Sequence, residues 1–275
     1  MRDAQQDPPL ETLIAGSGAD ARAIAVLRRG GRGPGLFWLG GYRSEMTGSK
    51  AATLDALGAE YGLAVTRFDY SGHGRSGGEF RHGTITRWLE EAIAVFETTS
   101  GPQIVVGSSM GGWIALLLAR VLGGGGRIRA LVLVAPAVDM TEELMLKGFT
   151  RKERRTLAAT GLVEQPSAYS DAPYPITREL IEDGRRHLLF GHGIRTGCPV
   201  TILQGGSDPD VPRAHALRLL QHLLSDPVTF TLVPDGDHRL SRPEDLAQLR
   251  AAVLAHVGAP AEQLSLAFDG PAPGP

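Results

Sequence analysis

A serine between two glycines, Ser109, is the residue of this 275-residue sequence best placed to do chemistry. Its pattern, Gly-x-Ser-x-Gly, follows an apolar run at 103–106 and precedes a longer one at 113–119, a spacing that predicts a strand, a sharp turn and a helix. In such a turn the serine backbone is strained, the glycines avoid clashes, and the hydroxyl stands beside a helix N-terminus that favours negative charge. The pattern also occurs by chance in a chain with 36 glycines, so the flanking strand and helix carry the inference. We expect Ser109 to be the nucleophile, and not Ser108, which is not centred between the glycines.

An aspartate and a histidine, the two residue types that activate a serine nucleophile, follow later strands. Asp208 and His238 each come directly after a predicted strand, and Ser, Asp, His is the chain order of the hydrolase-fold triad. A histidine can take the serine proton and return it near neutral pH, and a carboxylate fixes the histidine tautomer. Three other acids could take this role in place of Asp208: Asp210, Asp235 and Asp237. Asp210 ranks next after Asp208, because the end of a predicted strand is uncertain by a residue or so.

Two acids beside His238 also suggest a metal site as an alternative. No second histidine lies at ligand spacing, so we expect no metal, and triad chemistry requires no cofactor. Among the eight histidines, His73 and His82 fall in predicted loops at the rim of the site and His187 in a helical insertion. We expect surface or structural roles for these three.

A glycine-rich loop is the candidate for half of an oxyanion hole. The apolar strand predicted at 36–39 runs into residues 40–44, and loops at the carboxyl ends of parallel strands build the site in an open sheet. We expect the backbone N–H groups of Tyr42 and Met110 to be the oxyanion donors. A plain turn between strand and helix is the alternative, and the presence of Ser109 favours the functional interpretation.

Strands and helices alternate along most of the sequence, which predicts an α/β fold with a doubly wound, mostly parallel sheet. The strands are predicted at 24–27, 36–39, 64–68, 103–106, 128–134, 199–204 and 228–233. Helices are predicted at 50–61, 84–98, 214–224 and 243–254, with another after the serine. The arginine- and glycine-rich run at 28–35 is interpreted as a hairpin loop.

About sixty residues interrupt this alternation before the last two strands of the sheet. From about 137 to 197 the sequence is helical and polar with no clear strand, which predicts a cap over the site. Its apolar residues could line an acyl pocket, although packing of the cap on the core would use the same side chains: Leu144, Met145, Leu146, Phe149, Leu180, Ile181, Leu188, Leu189 and Phe190. We expect one α/β domain at 21–257, a flexible lead-in at 1–20 and a disordered tail at 258–275.

Composition limits the classes of partner and the location. The chain is 42% hydrophobic and 21% charged, with a net charge of −2, which gives no electrostatic case for binding nucleic acid or an anionic membrane. No apolar run has the length of a membrane span, and the single cysteine, Cys198, cannot form an internal disulfide. The N-terminal residues, with Asp3, Asp7 and Glu11, do not form a signal peptide, so we expect a cytoplasmic protein.

With these residues placed, the chain resembles the serine α/β-hydrolases over roughly 36–257. It is most similar to the family of mitochondrial acyl-glucuronide esterases and protein depalmitoylases, together with bacterial relatives. The shared motifs are Gly41-Tyr42-Arg43-Ser44 with Gly48 and Lys50, residues 67–72, 101–113, 166–170, 180–187, 198–200 and 237–239. Two positions depart from the family: Gly40 stands where relatives tend to have proline, and Gln204 replaces a usual histidine.

Residues and resemblance together imply a serine hydrolase that cleaves carboxylic esters or thioesters through an acyl-enzyme on Ser109. Its partner would be a small-molecule or acylated substrate. A lactonase or a small-ester carboxylesterase is the alternative within the same chemistry, and a non-catalytic binding protein is the alternative from another class. Dehalogenase or epoxide-hydrolase chemistry is disfavoured, because it needs a carboxylate where Ser109 stands.

Overall fold

A computed structural model describes residues 8–123, 126–166, 173–223 and 225–258. Strands in these residues are β1 Leu10–Ala15, β2 Arg22–Arg29, β3 Arg32–Leu39, β4 Leu63–Phe68, β5 Gln103–Ser108, β6 Ile128–Val134, β7 Leu162–Gln165, β8 Tyr174–Thr177, β9 Val200–Gly205 and β10 Val228–Val233. The α-helices are α1 Ser49–Tyr61, α2 Ile85–Glu97, α3 Met110–Leu122, α4 Arg151–Thr160, α5 Arg178–Gly184, α6 Arg213–His222 and α7 Pro243–Val257.

Eight of these strands form one sheet in the order β1-β2-β4-β3-β5-β6-β9-β10. The six strands from β4 to β10 are parallel, and β1 and β2 are antiparallel to their neighbours. The central strands are buried on both faces, as a parallel sheet covered by helices requires. The predicted mostly parallel α/β-hydrolase fold is confirmed.

Helices cover both faces of the sheet. Helices α2, α3 and α6 pack in one core and α1 and α7 in the other. Helix α2 shows why its sequence folds this way: Ile85, Trp88, Ala92 and Phe96 recur at helical spacing and are buried, and Thr84 caps the helix start by accepting the Arg87 N–H. Within the described residues, no helix is both long and apolar enough to cross a membrane.

The cap lies between β6 and β9. It contains a π-helical segment, Thr141–Leu146, followed by α4, β7, β8 and α5, and it has a small apolar cluster of its own. The expectation of no strand in the cap is corrected, because β7 and β8 pair as an antiparallel ribbon. Val163 and Ile176 face each other in this ribbon and bury its inner side against the cluster. Each strand has four residues, which is too short for an alternating pattern to be recognised.

Two other expectations about the N-terminal part are corrected. The lead-in is not flexible at 10–15, because β1 pairs with β2 along its whole length as an edge strand. The hairpin at 28–35 is wrong, because β4 lies between β2 and β3. Gly31 and Gly35 allow close packing instead. A Cβ added to Gly31 would lie 2.2 Å from Leu63, and one added to Gly35 would lie 2.3 Å from Gln103. Residues 1–7 and the tail expected at 258–275, except Gly258, lie outside the described residues.

Candidate active site

Ser109 sits in the sharp turn between β5 and α3, with φ 54° and ψ −117°. This backbone conformation is unfavourable for a residue with a side chain, and it is held by the hydrogen bond from the Ser109 N–H to the Val134 carbonyl, 2.8 Å long. The flanking glycines allow strand and helix to approach: an added Cβ would lie 2.3 Å from a backbone oxygen at Gly107 and 2.1 Å from one at Gly111. The turn therefore presents the hydroxyl at the carboxyl edge of the sheet.

A chain of two hydrogen bonds connects the three residues that the sequence placed after separate strands. His238 Nε2 lies 3.1 Å from Ser109 Oγ, and His238 Nδ1 lies 2.9 Å from Asp208 Oδ2. An ionised carboxylate only accepts hydrogen bonds, so the proton belongs on Nδ1 and the Nε2 lone pair faces the serine hydroxyl. In this arrangement His238 can remove the hydroxyl proton.

The carboxylate of Asp208 is held from several sides. Its side chain is fully buried; Oδ1 accepts the backbone N–H groups of Asp210 and Val211 at 2.9 and 2.8 Å, and Oδ2 accepts from Gln204 at 3.3 Å. Gln204, which the sequence marked as a departure from the family, thus donates to the same oxygen as His238. These donors fix the carboxylate and satisfy its buried oxygens.

The other candidate acids have different partners. Asp235 pairs with Arg242 at 2.6 Å, and Asp237 accepts the backbone N–H of Leu240 at 2.9 Å. Asp210 supplies its backbone N–H to Asp208. Its carboxylate is part of a group with Asp208 and His238 whose ligand-type atoms lie within 4.8 Å of one another. Both His238 nitrogens in that group are engaged with protein atoms, Nδ1 with Asp208 and Nε2 with Ser109.

The glycine-rich loop after β3 lies directly beside Ser109. A Cβ added to Gly41 would be 3.3 Å from the Cβ of Ser109. The next residues form a tight turn in which the Ser44 N–H donates to the Gly41 carbonyl at 3.0 Å and Arg43 has φ 57°. Tyr42, the second residue of this turn, carries one of the two expected oxyanion N–H groups; Met110, the first residue of α3, carries the other.

Two cavities meet at Ser109 and share the side chains of Tyr42, Tyr174 and His238. One has a volume of about 340 Å³ and extends under the cap; its apolar lining residues are Ala137, Met140, Leu144, Met145, Ile176 and Val211. We call it the apolar lobe. The other has about 590 Å³, is more polar, and reaches Arg43, Glu45, Lys50, Arg239 and the start of α1. We call it the polar lobe.

Two of the expected acyl-pocket residues, Leu144 and Met145, line the apolar lobe. Most of the others are used for packing instead. Leu180, Leu189 and Phe190 belong to the main core, and Leu146, Phe149 and Ile181 pack in the cluster of the cap. Leu188 lines a third cavity away from Ser109.

Burial changes the proton affinity of two groups in the polar lobe. Burial and the nearby Arg239 charge lower the pKa of Lys50 to about 8, and its Nζ donates to the backbone carbonyl of Arg239. Burial also lowers the pKa of His73 to about 4, so its imidazole is neutral at neutral pH. The sequence suggests surface or structural roles for His73; the structure places its Nε2 3.1 Å from the backbone nitrogen of Arg43, in the glycine-rich loop after β3 that carries Tyr42, which we call the oxyanion loop after its expected role.

Comparison with known proteins gives consistent results. The model of the "Alpha/beta hydrolase family" matches residues 26–249. The mitochondrial palmitoyl-protein thioesterase ABHD10 of Bos taurus is 33% identical over 234 residues, which are 84% of this chain and 75% of the relative. A monoacylglycerol lipase of Mycolicibacterium smegmatis is 40% identical over 229 residues, 71% of this chain and 80% of the lipase. A crystal structure described as a hydrolase of Agrobacterium vitis S4 has a TM-score of 0.87 and 50% identity, covering 91% of this chain and all of the other.

Proposed function

Because the chain belongs to the α/β hydrolase family, as the resemblance in its motifs predicted, we propose that it is a serine hydrolase acting on carboxylic esters or thioesters. The observation that carries the proposal is the hydrogen-bond chain from Ser109 through His238 to Asp208. A hydroxyl, an unprotonated imidazole nitrogen and a buried carboxylate in this order are the components of nucleophilic acyl transfer.

The reaction follows from these positions. Ser109 Oγ attacks the acyl carbon while His238 Nε2 takes the hydroxyl proton, and the N–H groups of Tyr42 and Met110 stabilise the oxyanion that forms. His238 then gives the proton to the departing alcohol or thiol, leaving the acyl group on Ser109. Water, deprotonated by His238, attacks this ester, and the acid leaves as the serine recovers its proton. Asp208 stabilises the imidazolium in both halves of the cycle.

The two lobes suit the two parts of an ester or thioester substrate. The apolar lobe suits an acyl chain, since its lining offers carbon and sulfur surface, and the polar lobe suits the leaving group. The named activities of the relatives, thioesterase and lipase, both release a fatty acid from a polar partner. The cytoplasmic location stays a prediction, because the ABHD10 relatives are named as mitochondrial.

Hydrolysis of matched O-acyl and S-acyl substrates of increasing chain length, with Ser109→Ala as the reference, tests the proposal. We expect turnover that disappears in Ser109→Ala, and an acylated Ser109 peptide in mass spectrometry of protein quenched during turnover. Preference for short oxoesters would favour a small-ester carboxylesterase, and preference for cyclic esters a lactonase. Absence of serine-dependent turnover throughout, with no acyl-enzyme, would favour the binding-protein alternative.

A further inference from the structure

The turn that carries Tyr42 belongs to a kind with two possible conformations, and a hydrogen bond to the central peptide favours the one that the structure shows. A four-residue turn closed by a hydrogen bond between its ends can have the central peptide in either of two orientations, and one requires positive φ at the third residue. Arg43 occupies that position with φ 57°, which is unfavourable for a residue other than glycine. The N–H of the central peptide is that of Arg43, and it donates to His73 Nε2 at 3.1 Å. Reversal of the peptide would break this bond.

His73 can accept this bond only as a neutral ring with the proton on Nδ1. Its Nδ1 lies 3.2 Å from the Ser71 carbonyl, an acceptor, which favours that tautomer. The ring is 3% exposed and packs edge-on against Tyr70, Phe80 and Trp88. Burial lowers its pKa to about 4, so the acceptor persists through the neutral range.

The charged and titratable groups around His73 come from the oxyanion loop, from its own loop and from α2: Arg43, Asp69, Tyr70, Arg75 and Glu91. The Arg43 guanidinium lowers the pKa of His73 further. Glu91 accepts from the backbone N–H of Ser71 and from Arg22, so its carboxylate is paired with these donors. These contacts leave the imidazole without an anionic partner in the described residues.

The loop that contains His73 holds the oxyanion loop at a second point. Asp69 accepts the backbone N–H of Met46 at 2.6 Å through one oxygen and that of Arg75 at 2.9 Å through the other. Asp69 therefore fixes the end of the oxyanion loop, whereas His73 fixes the peptide next to Tyr42. The His73 contact is the one that bears directly on the reaction, because it lies next to Tyr42.

We propose that His73 is a positioning residue for the oxyanion hole: its Nε2 accepts the N–H of the Tyr42–Arg43 peptide, holds the left-handed turn at Arg43, and so fixes the loop segment that carries the Tyr42 N–H beside Ser109. The proposal rests on the proposed function, since it concerns a donor in that reaction. Donors to the oxyanion act on the transition state more than on bound substrate. Loss of the His73 acceptor therefore lowers kcat and leaves KM nearly unchanged.

Three variants test this. His73→Phe keeps an aromatic ring among its neighbours and removes the acceptor; His73→Gln keeps an oxygen that can accept the Arg43 N–H. His82→Phe is the matched control, because His82 is an exposed histidine nearby. We expect His73→Phe to lower kcat about 10- to 100-fold with KM within about twofold, which is less than the roughly 10²- to 10³-fold for removal of an oxyanion donor because the donor is displaced and not deleted, and His73→Gln to recover most of it. Affinity for a trifluoromethyl ketone, which forms a tetrahedral adduct, should fall in parallel with kcat/KM.

The pH dependence of kcat/KM distinguishes a positioning role of His73 from an effect of the substitution on His238. The acidic limb of kcat/KM should not move in His73→Phe, because His238 remains the base. A folded His73→Phe with native kcat, an inactive His73→Gln beside it, or a displaced acidic limb would each overturn the inference. In ligand-free protein labelled with ¹⁵N, we expect a scalar coupling between Arg43 N and His73 Nε2 across the hydrogen bond, and its absence also overturns the inference. Lack of any Ser109-dependent turnover would instead overturn the proposed function and this inference together.

Discussion

The side-chain Nζ of Lys50 donates a hydrogen bond to the backbone carbonyl of Arg239, the residue that follows His238. This contact connects the start of α1 with the loop that carries the proposed base, across the polar lobe. Lys50 is partly buried and its pKa is lowered to about 8, so the charged donor exists mainly below that pH. The position of the loop that carries His238 therefore depends on whether Lys50 is protonated.

Replacement of Lys50 by Met should loosen the His238 loop. We expect kcat/KM to fall about tenfold near pH 7, since small displacements of a catalytic group are costly. In the native protein kcat/KM should decline above about pH 8 as the ammonium is lost, and Lys50→Met should lack this decline. The measurement is kcat/KM from pH 6 to 10 for both proteins. Equal profiles would contradict a role for the Lys50 charge.

The same shift predicts a change in stability. The folded-state pKa of Lys50 is about 8 against a usual value of 10.5, so between these pH values the unfolded chain binds more protons. The contribution of Lys50 to the free energy of unfolding therefore rises with pH between about 8 and 10.5. Urea titrations at pH 8 and pH 10 should show a smaller rise for Lys50→Met than for the native protein. An identical rise in both would mean that the lysine is not buried as described.

Asp208→Asn should be strongly damaging although it preserves the shape of the side chain. The amide can donate to His238 Nδ1 and so favour the tautomer with its proton on Nε2, which cannot accept from Ser109. We expect a fall in kcat of about 10³- to 10⁴-fold, as for the equivalent change in other triads. Asp210→Asn is the matched control and should stay within about threefold, since Asp208 is the residue that accepts from His238 Nδ1. Comparable losses in both variants would assign the role to Asp210.

How much of this the sequence could predict depends on the kind of signal. The sequence predicts strands β6 and β10 with the bounds that the structure has, because both are rich in apolar and β-branched residues and lie between turn residues. Ser109, Asp208 and His238 were recognised from strand ends and chain order, and the structure brings them together. These signals are local in sequence, so one chain is enough to read them.

The contacts between loops were not predicted. His73 lies thirty positions from Arg43, and Lys50 lies 189 positions from Arg239, with no local pattern joining either pair. Strand β1 was missed for a different reason: most of its residues are exposed, so no buried face was visible in the sequence. Tertiary packing decides these features, and composition gives no signal for them.

His73 should make the protein sensitive to acid. Its folded-state pKa is about 4 against a usual 6.5, so the folded state favours the neutral ring. Stability from this group is fully present above pH 6.5 and is lost as the pH falls to 4, by up to about 3 kcal/mol. Guanidinium titrations at pH 7 and pH 4.5 should therefore show a smaller loss for His73→Phe than for the native protein. A loss of the same size in both would contradict the burial of a neutral His73.

The apolar lobe should set a chain-length profile. A methylene group is similar in size to a water molecule, which takes about 30 Å³, so the lobe of about 340 Å³ holds about eleven such groups. Each buried methylene contributes about 0.8 kcal/mol, close to a fourfold gain in kcat/KM. We expect kcat/KM for acyl thioesters to rise to about ten to twelve carbons and then to level off, because further carbons lie outside the lobe.

Leu144→Trp tests this assignment, since the larger side chain would fill part of the lobe. We expect kcat/KM for a decanoyl ester to fall at least about tenfold, with an acetyl ester within about threefold, because loss of a few buried methylenes removes about 2 kcal/mol. Leu217→Trp is the control for the added indole, as Leu217 is 45% exposed on α6. Equal effects on both esters would mean that Leu144 contacts the reacting end. An unchanged profile would place the acyl chain in the polar lobe.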